Sequence, residues 1–377
     1  MIVGIQADDL TGACDTGAPF AARGLETLVV VHDGDPPRAP DTTTAVLVID
    51  TESREQPAED ARARARWAGN ALKAGSPRIL YKKLDSTLRG RIGAEVDGML
   101  DGAGLGLALL APAFPAQRRT VVDGCVRVED RPVDETPIAR DPAFPRTGAS
   151  VLGALIADGI RPVAALPLFT VRRGHAAVTA RLERFAGAGG RAVVADAETG
   201  ADLSTVVEAA RDRPVLLAGS AGLATALAAR ESSPDASIRR TLPRRPLVVV
   251  AGSPHPATRL QLSRLGRRES LDVLAPPDDE GIGSTARRRA MVARLAEAAR
   301  DRIEHARFGS LLLTGGETAI TVLRALGASG LRLAGEIEPG IALATLVGGP
   351  FDGLVAMTKA GGFGDADALV RVWETCA

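Results

Sequence analysis

Lysine is almost missing from this chain. Of 46 basic residues, only Lys73, Lys82, Lys83 and Lys359 are lysines; all the others are arginines. Aromatic residues make up 3%, too few for the platforms on which nucleic-acid bases stack. An excess of either charge is missing as well: 46 basic residues face 46 acidic ones, so the basic footprint of a nucleic-acid binder is excluded. The three cysteines, Cys14, Cys125 and Cys376, are odd in number and far apart. That excludes a disulfide framework and a cysteine metal site, and fits a reducing compartment. No apolar run approaches the ~20 residues of a membrane span. The start, Met1 followed by an apolar stretch of four and then acidic residues, lacks the pattern of a secretory signal. The expectation is a cytoplasmic protein that acts on small soluble molecules, without nucleic-acid or membrane partners.

Familiar phosphate motifs are absent too. The chain has no G-x-x-x-x-G-K-[ST], no G-x-G-x-x-G after a strand, and no protein-kinase signature set. Its four histidines are scattered, so no metal ligands can be named.

With 377 residues, 45% of them hydrophobic, the chain is long enough for two cores. Short continuous apolar runs at 2–5, 46–49, 79–81 and 105–110 read as strands buried on both faces. Helical patterns follow at 11–23, 58–74 and 91–100. The rhythm returns at 162–166, 192–195 and 215–218, and again at 247–251, 310–313 and 354–358. Residues 123–145 read as a long polar excursion, and 276–289 as loop before a helix. The expected fold is α/β with two domains, each a largely parallel sheet flanked by helices, and the active-site cleft between them. The expected boundaries are 1–235, a linker at 236–246, and 247–377.

In open α/β sheets ligands gather at the carboxyl ends of strands. After the first strand come Asp8, Asp9, Thr11 and Asp15. Adjacent carboxylates there need a cation or donors, although helix capping accounts for one of them. The second strand is followed by Asp50-Thr51-Glu52-Ser53-Arg54. The third is followed by Lys82-Lys83-Leu84-Asp85-Ser86-Thr87-Leu88-Arg89, two cations, a carboxylate, two hydroxyls and a further arginine in eight residues. Such a turn suits a polyhydroxylated carboxylate. The second half has Gly-rich turns instead: Gly252-Ser253, Gly315-Gly316-Glu317-Thr318, and Lys359-Ala360-Gly361-Gly362. Glycine-rich turns that open helices aim backbone N–H groups at phosphates, and Lys359 would add charge there.

Asp85 is the leading candidate for a catalytic base, with Asp8 and Asp9 as alternatives. Should Asp85 prove structural, the base is to be sought at Asp8, Asp9 or Asp15. The bland reading of Asp85 is a helix cap.

These segments, in this order, resemble the four-carbon acid sugar kinase family, long labelled only as a domain of unknown function. The resemblance rests on residues 7–13, 50–54, 82–90 and 111–115, then on Gly252-Ser253 with Thr258 and Gln261, 315–318, Gly335-Glu336-Ile337 with Pro339-Gly340, and Lys359 with Gly361 and Phe363-Gly364. It departs from the usual family pattern at Arg91, Arg118 and Gly362. The resemblance implies transfer of the ATP γ-phosphoryl group to the terminal hydroxyl of threonate, erythronate or a 3-oxo-tetronate, with ATP and Mg²⁺ as cofactors. It implies that Asp8, Asp9, Thr11, Asp15, Arg54, Lys82, Lys83, Asp85, Ser86 and Arg89 face the sugar acid. Ser253, Gly315, Gly316, Glu317, Thr318, Lys359, Gly361 and Gly362 would face ATP. Two other classes stay open: a metal-dependent sugar-acid lyase or aldolase with the metal on Asp8 and Asp9, and a non-catalytic sugar-acid sensor. A homo-oligomer is also open.

Overall fold

Why the apolar runs become strands is plain from their surroundings. Val3, Ile5, Val46, Val48, Leu109 and Leu110 are all 0% exposed, as in a sheet covered on both faces. The computed structural model describes residues 1–31, 44–140, 148–231, 242–277, 285–305 and 308–376. In chain order the elements are β1 (Val3–Ala7), α1 (Leu10–Ala21), β2 (Thr27–Val31), β3 (Val46–Asp50), α2 (Ala58–Ala74), β4 (Ile79–Lys83), α3 (Ile92–Ala103) and β5 (Leu107–Ala111). Three short strands follow, β6 (Arg119–Val122), β7 (Cys125–Val128) and β8 (Arg131–Pro132). Then come α4 (Val151–Ala157), β9 (Val163–Leu166), α5 (Leu168–Val171), α6 (His175–Gly187), β10 (Ala192–Ala195), α7 (Gly200–Ala210), β11 (Val215–Gly219) and α8 (Ala221–Arg230). The remainder is β12 (Leu247–Ala251), α9 (Pro256–Leu265), β13 (Leu271–Leu274), α10 (Thr285–His305), β14 (Ser310–Thr314), α11 (Gly316–Ala325), β15 (Gly330–Glu338), β16 (Ile341–Val347), β17 (Val355–Lys359) and α12 (Ala368–Thr375).

The chain divides into two compact units: Met1–Thr16 with Pro36–Ser232, and Gly17–Asp35 with Ser233–Ala377. Of the expected linker at 236–246, residues 236–241 lie outside the described residues.

In the first unit the strand order is β3-β1-β4-β11-β5-β10-β9, all parallel. The chain moves from β1 to one side for β3 and to the other for β4, so β1 marks the point where strand order reverses. Register makes the edge level: Ala7 lies beside Asp50, and Gly219 beside both Lys83 and Ala111. The residues that follow these strands therefore share one rim.

In the second unit β13, β12, β14 and β17 are parallel, and β16, β15 and β2 continue antiparallel. Leu247, Val249, Leu312, Met357 and Leu369 pack together in its core. Ala251, Thr314 and Lys359 are level, which brings the three Gly-rich turns to one rim.

Two expectations need correction. Residues 119–132, largely inside the expected excursion, form a small antiparallel sheet. Its turns use left-handed pairs, Asp123-Gly124 and Glu129-Asp130, the geometry that tight hairpins favour. The antiparallel hairpin of β15 and β16 and the strand β2 also went unforeseen.

Candidate active site

Asp9 and Asp8 sit where β1 gives way to α1. Asp9 caps the helix: its Oδ1 accepts from Gly12 N at 3.0 Å and its Oδ2 from Thr11 Oγ1 at 2.7 Å. So the capping account holds for Asp9. Arg54, just after β3, donates to both carboxylates. Its Nε and one terminal nitrogen reach Asp8 at 2.8 and 2.9 Å, and its terminal nitrogens reach Asp9 at 2.8 and 2.6 Å. It also lies 3.7 Å from Asp85. One planar fork thus serves three carboxylates, which a lysine could not do. Burial works to raise the Asp8 carboxyl, but Arg54, Lys82 and Lys83 outweigh it and hold it at about 2.

The turn after β4 is organised around Asp85. Its Oδ1 accepts from Thr87 N at 2.7 Å and Thr87 Oγ1 at 2.5 Å, and its Oδ2 from Arg89 at 2.9 and 2.6 Å. Burial opposes ionisation here too, yet Arg89, Arg54 and Lys83 keep Asp85 well below the usual carboxylate range. Arg119, at the start of β6, donates to Ser86 Oγ.

The two lysines of β4 part company, as neighbours on a strand must. Lys82 is 0% exposed and lies 3.2 Å from Glu95 of α3, whose other oxygen accepts from Ser53. Burial pushes Glu95 up to about 7 despite Lys82. Lys83 points toward α1: a Cβ added at Gly12 would fall 2.9 Å from its Nζ. It is 5% exposed, and its ammonium makes no hydrogen bond or ion pair among the described residues. Asp15, one turn further along α1, has a buried Oδ1 that accepts no hydrogen bond. Thus Asp8, Asp9, Thr11, Asp15, Arg54, Lys83, Asp85, Ser86 and Arg89 share the rim, while Lys82 is engaged in a core ion pair. Reading the residues alone missed Arg119 and Glu95. The Phe114–Arg119 loop gave a hint of the first; the helical spacing of Glu95 from its neighbours gave none of the second.

The second unit's rim is built mainly from backbone and uncharged side chains. Gly361 lies so close to Ser253 that a Cβ on it would stand 2.0 Å from Ser253 Oγ, so a side chain there would force the turns apart. Thr258 Oγ1 donates to Gly361 O at 2.8 Å, and Gly315 N to Lys359 O at 2.9 Å. Gln261 Nε2 gathers the carbonyls of Phe363, Gly364 and Asp365 at 2.8 to 3.1 Å. Gly362 packs on His255, which caps α9, and Thr318 is buried behind Gly252. Glu317 accepts from Arg288 at 2.7 Å. Lys359 is 0% exposed and donates to the carbonyls of Ala360 and Gly361 at 2.9 and 3.3 Å. Burial lowers its ammonium to about 8. Its visible work is to shape the turn.

A family model described as a sugar-binding N-terminal domain matches residues 3–227, and one described as a nucleotide-binding C-terminal domain matches 275–369. The chain belongs to the four-carbon acid sugar kinase family. Among its relatives is a D-threonate kinase of Salmonella typhimurium, 34% identical over 98% of this chain and 97% of that one. A D-erythronate kinase of Heliobacterium modesticaldum is 30% identical, over 97% and 94% of the two chains. A 3-oxo-tetronate kinase of Methylobacterium radiotolerans is 31% identical over 100% of both. A solved Salmonella typhimurium structure shares the fold with a TM-score of 0.83 at 24% identity, covering 100% of this chain and 99% of that one. A Bordetella bronchiseptica structure, described as a domain-swapped dimer with bound citrate, is 31% identical with a TM-score of 0.53, covering 100% and 98%. Among the described residues no helix is long and apolar enough to cross a membrane.

Proposed function

We propose that this family member is an ATP-dependent kinase that phosphorylates the terminal hydroxyl of a four-carbon sugar acid. The observation that carries the reading is that each unit has a rim of its own and the two are unlike: one of ordered charges and hydroxyls, one of close-packed glycine turns. The relatives' activities on threonate, erythronate and 3-oxo-tetronate support the same class.

In this reading the sugar acid binds on the first unit. The buried ammonium of Lys83, with Arg89 and Arg119, receives its carboxylate, and Asp85 and Ser86 meet its hydroxyls. Arg54 acts from behind by fixing Asp8, Asp9 and Asp85. The nucleotide phosphates lie on the turns of Ser253, Gly315 to Thr318, and Gly361 with Gly362, where backbone N–H groups replace water. Phosphoryl transfer needs positioning and charge neutralisation above all. Mg²⁺ supplies part of that neutralisation when bound, and such ions are held mostly by phosphate and water with one or two carboxylates. Glu317 is the carboxylate of the Gly-rich turns, held by Arg288 at one oxygen, and it would be the residue to meet that modest demand. The lyase reading, with a metal on Asp8 and Asp9, is disfavoured because Arg54 already saturates both carboxylates.

Coupled ADP-release assays against a panel of four-carbon sugar acids test the proposal. At least one acid is expected to stimulate ADP release from MgATP with stoichiometric phosphorylation. If none raises release above background, the substrate class is wrong.

A further inference from the structure

We propose that Asp15 is the proton acceptor for the sugar-acid hydroxyl that attacks the γ-phosphoryl group. The inference rests on the kinase reading and adds to it the residue that moves the proton.

Elimination begins with what each carboxylate already does. Asp8 and Asp9 are held by Arg54, and Asp9 also caps α1. Asp85 accepts four hydrogen bonds, two of them from Arg89. Their lone pairs are occupied, and the surrounding cations make Asp8 and Asp85 weak proton acceptors. Glu95 is 1% exposed and is engaged by Lys82 and Ser53. Asp50 also has a buried oxygen that accepts no hydrogen bond, but it is 0% exposed at the end of β3 and the charged groups beside it are the carboxylates Glu52 and Asp9, with no cation among the described residues to bring a substrate carboxylate near.

Asp15 differs. Its Oδ1 is buried and accepts no hydrogen bond, a costly state for a carboxylate unless a ligand donates to it. It stands three residues after Gly12 and so shares that residue's helical face, against which Lys83 Nζ rests. Lys83, 5% exposed, faces Asp8, Asp15 and Asp85 electrostatically but makes no hydrogen bond or ion pair to them among the described residues. An unsatisfied acceptor with an ammonium on the same helix face is what a hydroxy acid would complete, carboxylate to Lys83 and hydroxyl to Asp15. The charged groups facing Asp15 are Lys83 and Asp85 from β4 and its turn, Arg119 from β6, and Asp9 ahead of α1. Burial pushes Asp15 up to about 6, with Lys83 and Arg119 opposing and Asp9 and Asp85 adding to the rise. The group is therefore ionised at neutral pH, yet far better matched to a proton transfer than Asp85.

The step balances simply. The hydroxyl proton passes to Asp15 Oδ1 as the hydroxyl oxygen forms its bond to the γ-phosphorus. The bond from that phosphorus to the β–γ bridging oxygen breaks, and its electron pair leaves with ADP.

The test compares Asp15→Asn with the unaltered enzyme across pH 5 to 8, following acid-dependent ADP release. The unaltered enzyme should lose kcat as pH falls through about 6, because protonation removes the base. Asp15→Asn should lose at least ~100-fold in kcat with no such acid limb, while KM for the acid shifts by less than about threefold. A kcat for Asp15→Asn within about threefold of the original, or a pH profile of the unaltered enzyme that stays flat through 6, would overturn the assignment. If the unaltered protein releases no ADP with any acid, the kinase reading falls and this inference falls with it. Retained turnover in Asp15→Asn removes only the role of Asp15.

Discussion

The two rims are built in opposite ways. The first unit uses side chains: Arg54 alone makes four hydrogen bonds to Asp8 and Asp9, and Asp85 accepts four more. The second uses backbone, with glycines packed against Ser253 and His255 and carbonyls tied by Gln261, Thr258 and Lys359. Side-chain sites can tell one hydroxyl arrangement from another, because fixed donors and acceptors left unpaired are costly. Backbone sites suit a phosphate chain that is the same in every turnover. In the proposed reading, selectivity would therefore reside in the first unit, and the second would be generic.

The largest break in that contrast should come from Arg54→Ala. Asp8, Asp9 and Asp85 would lose their shared cation, and kcat/KM is expected to fall by ~1000-fold or more. Stability should drop by about 3–5 kcal/mol in urea unfolding, the usual cost of removing one partner of a buried pair. A variant that keeps turnover would show the network to be ornamental.

Asp85→Asn comes next. The variant keeps the helix turn but frees Arg89, so KM for the acid should rise about tenfold and kcat fall less than at Asp15. A kcat loss matching that of Asp15→Asn would return the base to Asp85.

Gly361→Ala sharpens the other side. The added Cβ clashes with Ser253, so KM for ATP should rise about tenfold while KM for the acid stays put. Equal changes in both constants would mean that the rims are not separable.

Lys359→Met should have a milder effect. Losing the ammonium that holds Ala360 and Gly361 should raise KM for ATP a few-fold. A fully active variant would make Lys359 a bystander. Smallest of all, Arg245→Ala removes a guanidinium 3.9 Å from the Trp373 ring and should cost ~0.5–1 kcal/mol in a thermal melt with both KM values unchanged.

Much of this was legible in the residues. The apolar runs fall on β1, β3, β4, β5, β9, β10, β11, β12, β14 and β17, and the helix expected at 58–74 is α2. Continuous burial on both sheet faces leaves a clear mark, whereas β15 is broken by Arg332, Glu336 and Glu338, and β6 to β8 carry Arg119, Arg127 and Arg131 among few apolar residues. The rarity of lysine proved informative: Lys82, Lys83 and Lys359 are buried, at 0%, 5% and 0% exposure, where a compact ammonium fits and a guanidinium fork does not. What stayed hidden was pairing across the chain. Nothing in residues 50–54 says that Arg54 will reach both Asp8 and Asp9. Strand alternation could have separated Lys82 from Lys83, since adjacent side chains face opposite ways. Its partner Glu95 was out of reach, because a helix's rotation about its axis is set by packing.

The division of labour is tested most directly by a crystal structure of the protein with a four-carbon sugar acid and a non-hydrolysable ATP analogue. The acid's carboxylate is expected on Lys83 and its hydroxyls among Asp15, Asp85 and Ser86, with the phosphates on the turns of Ser253, Gly315 and Gly361. Phosphates bound instead at Gly12 or Gly90 in the first unit would contradict it.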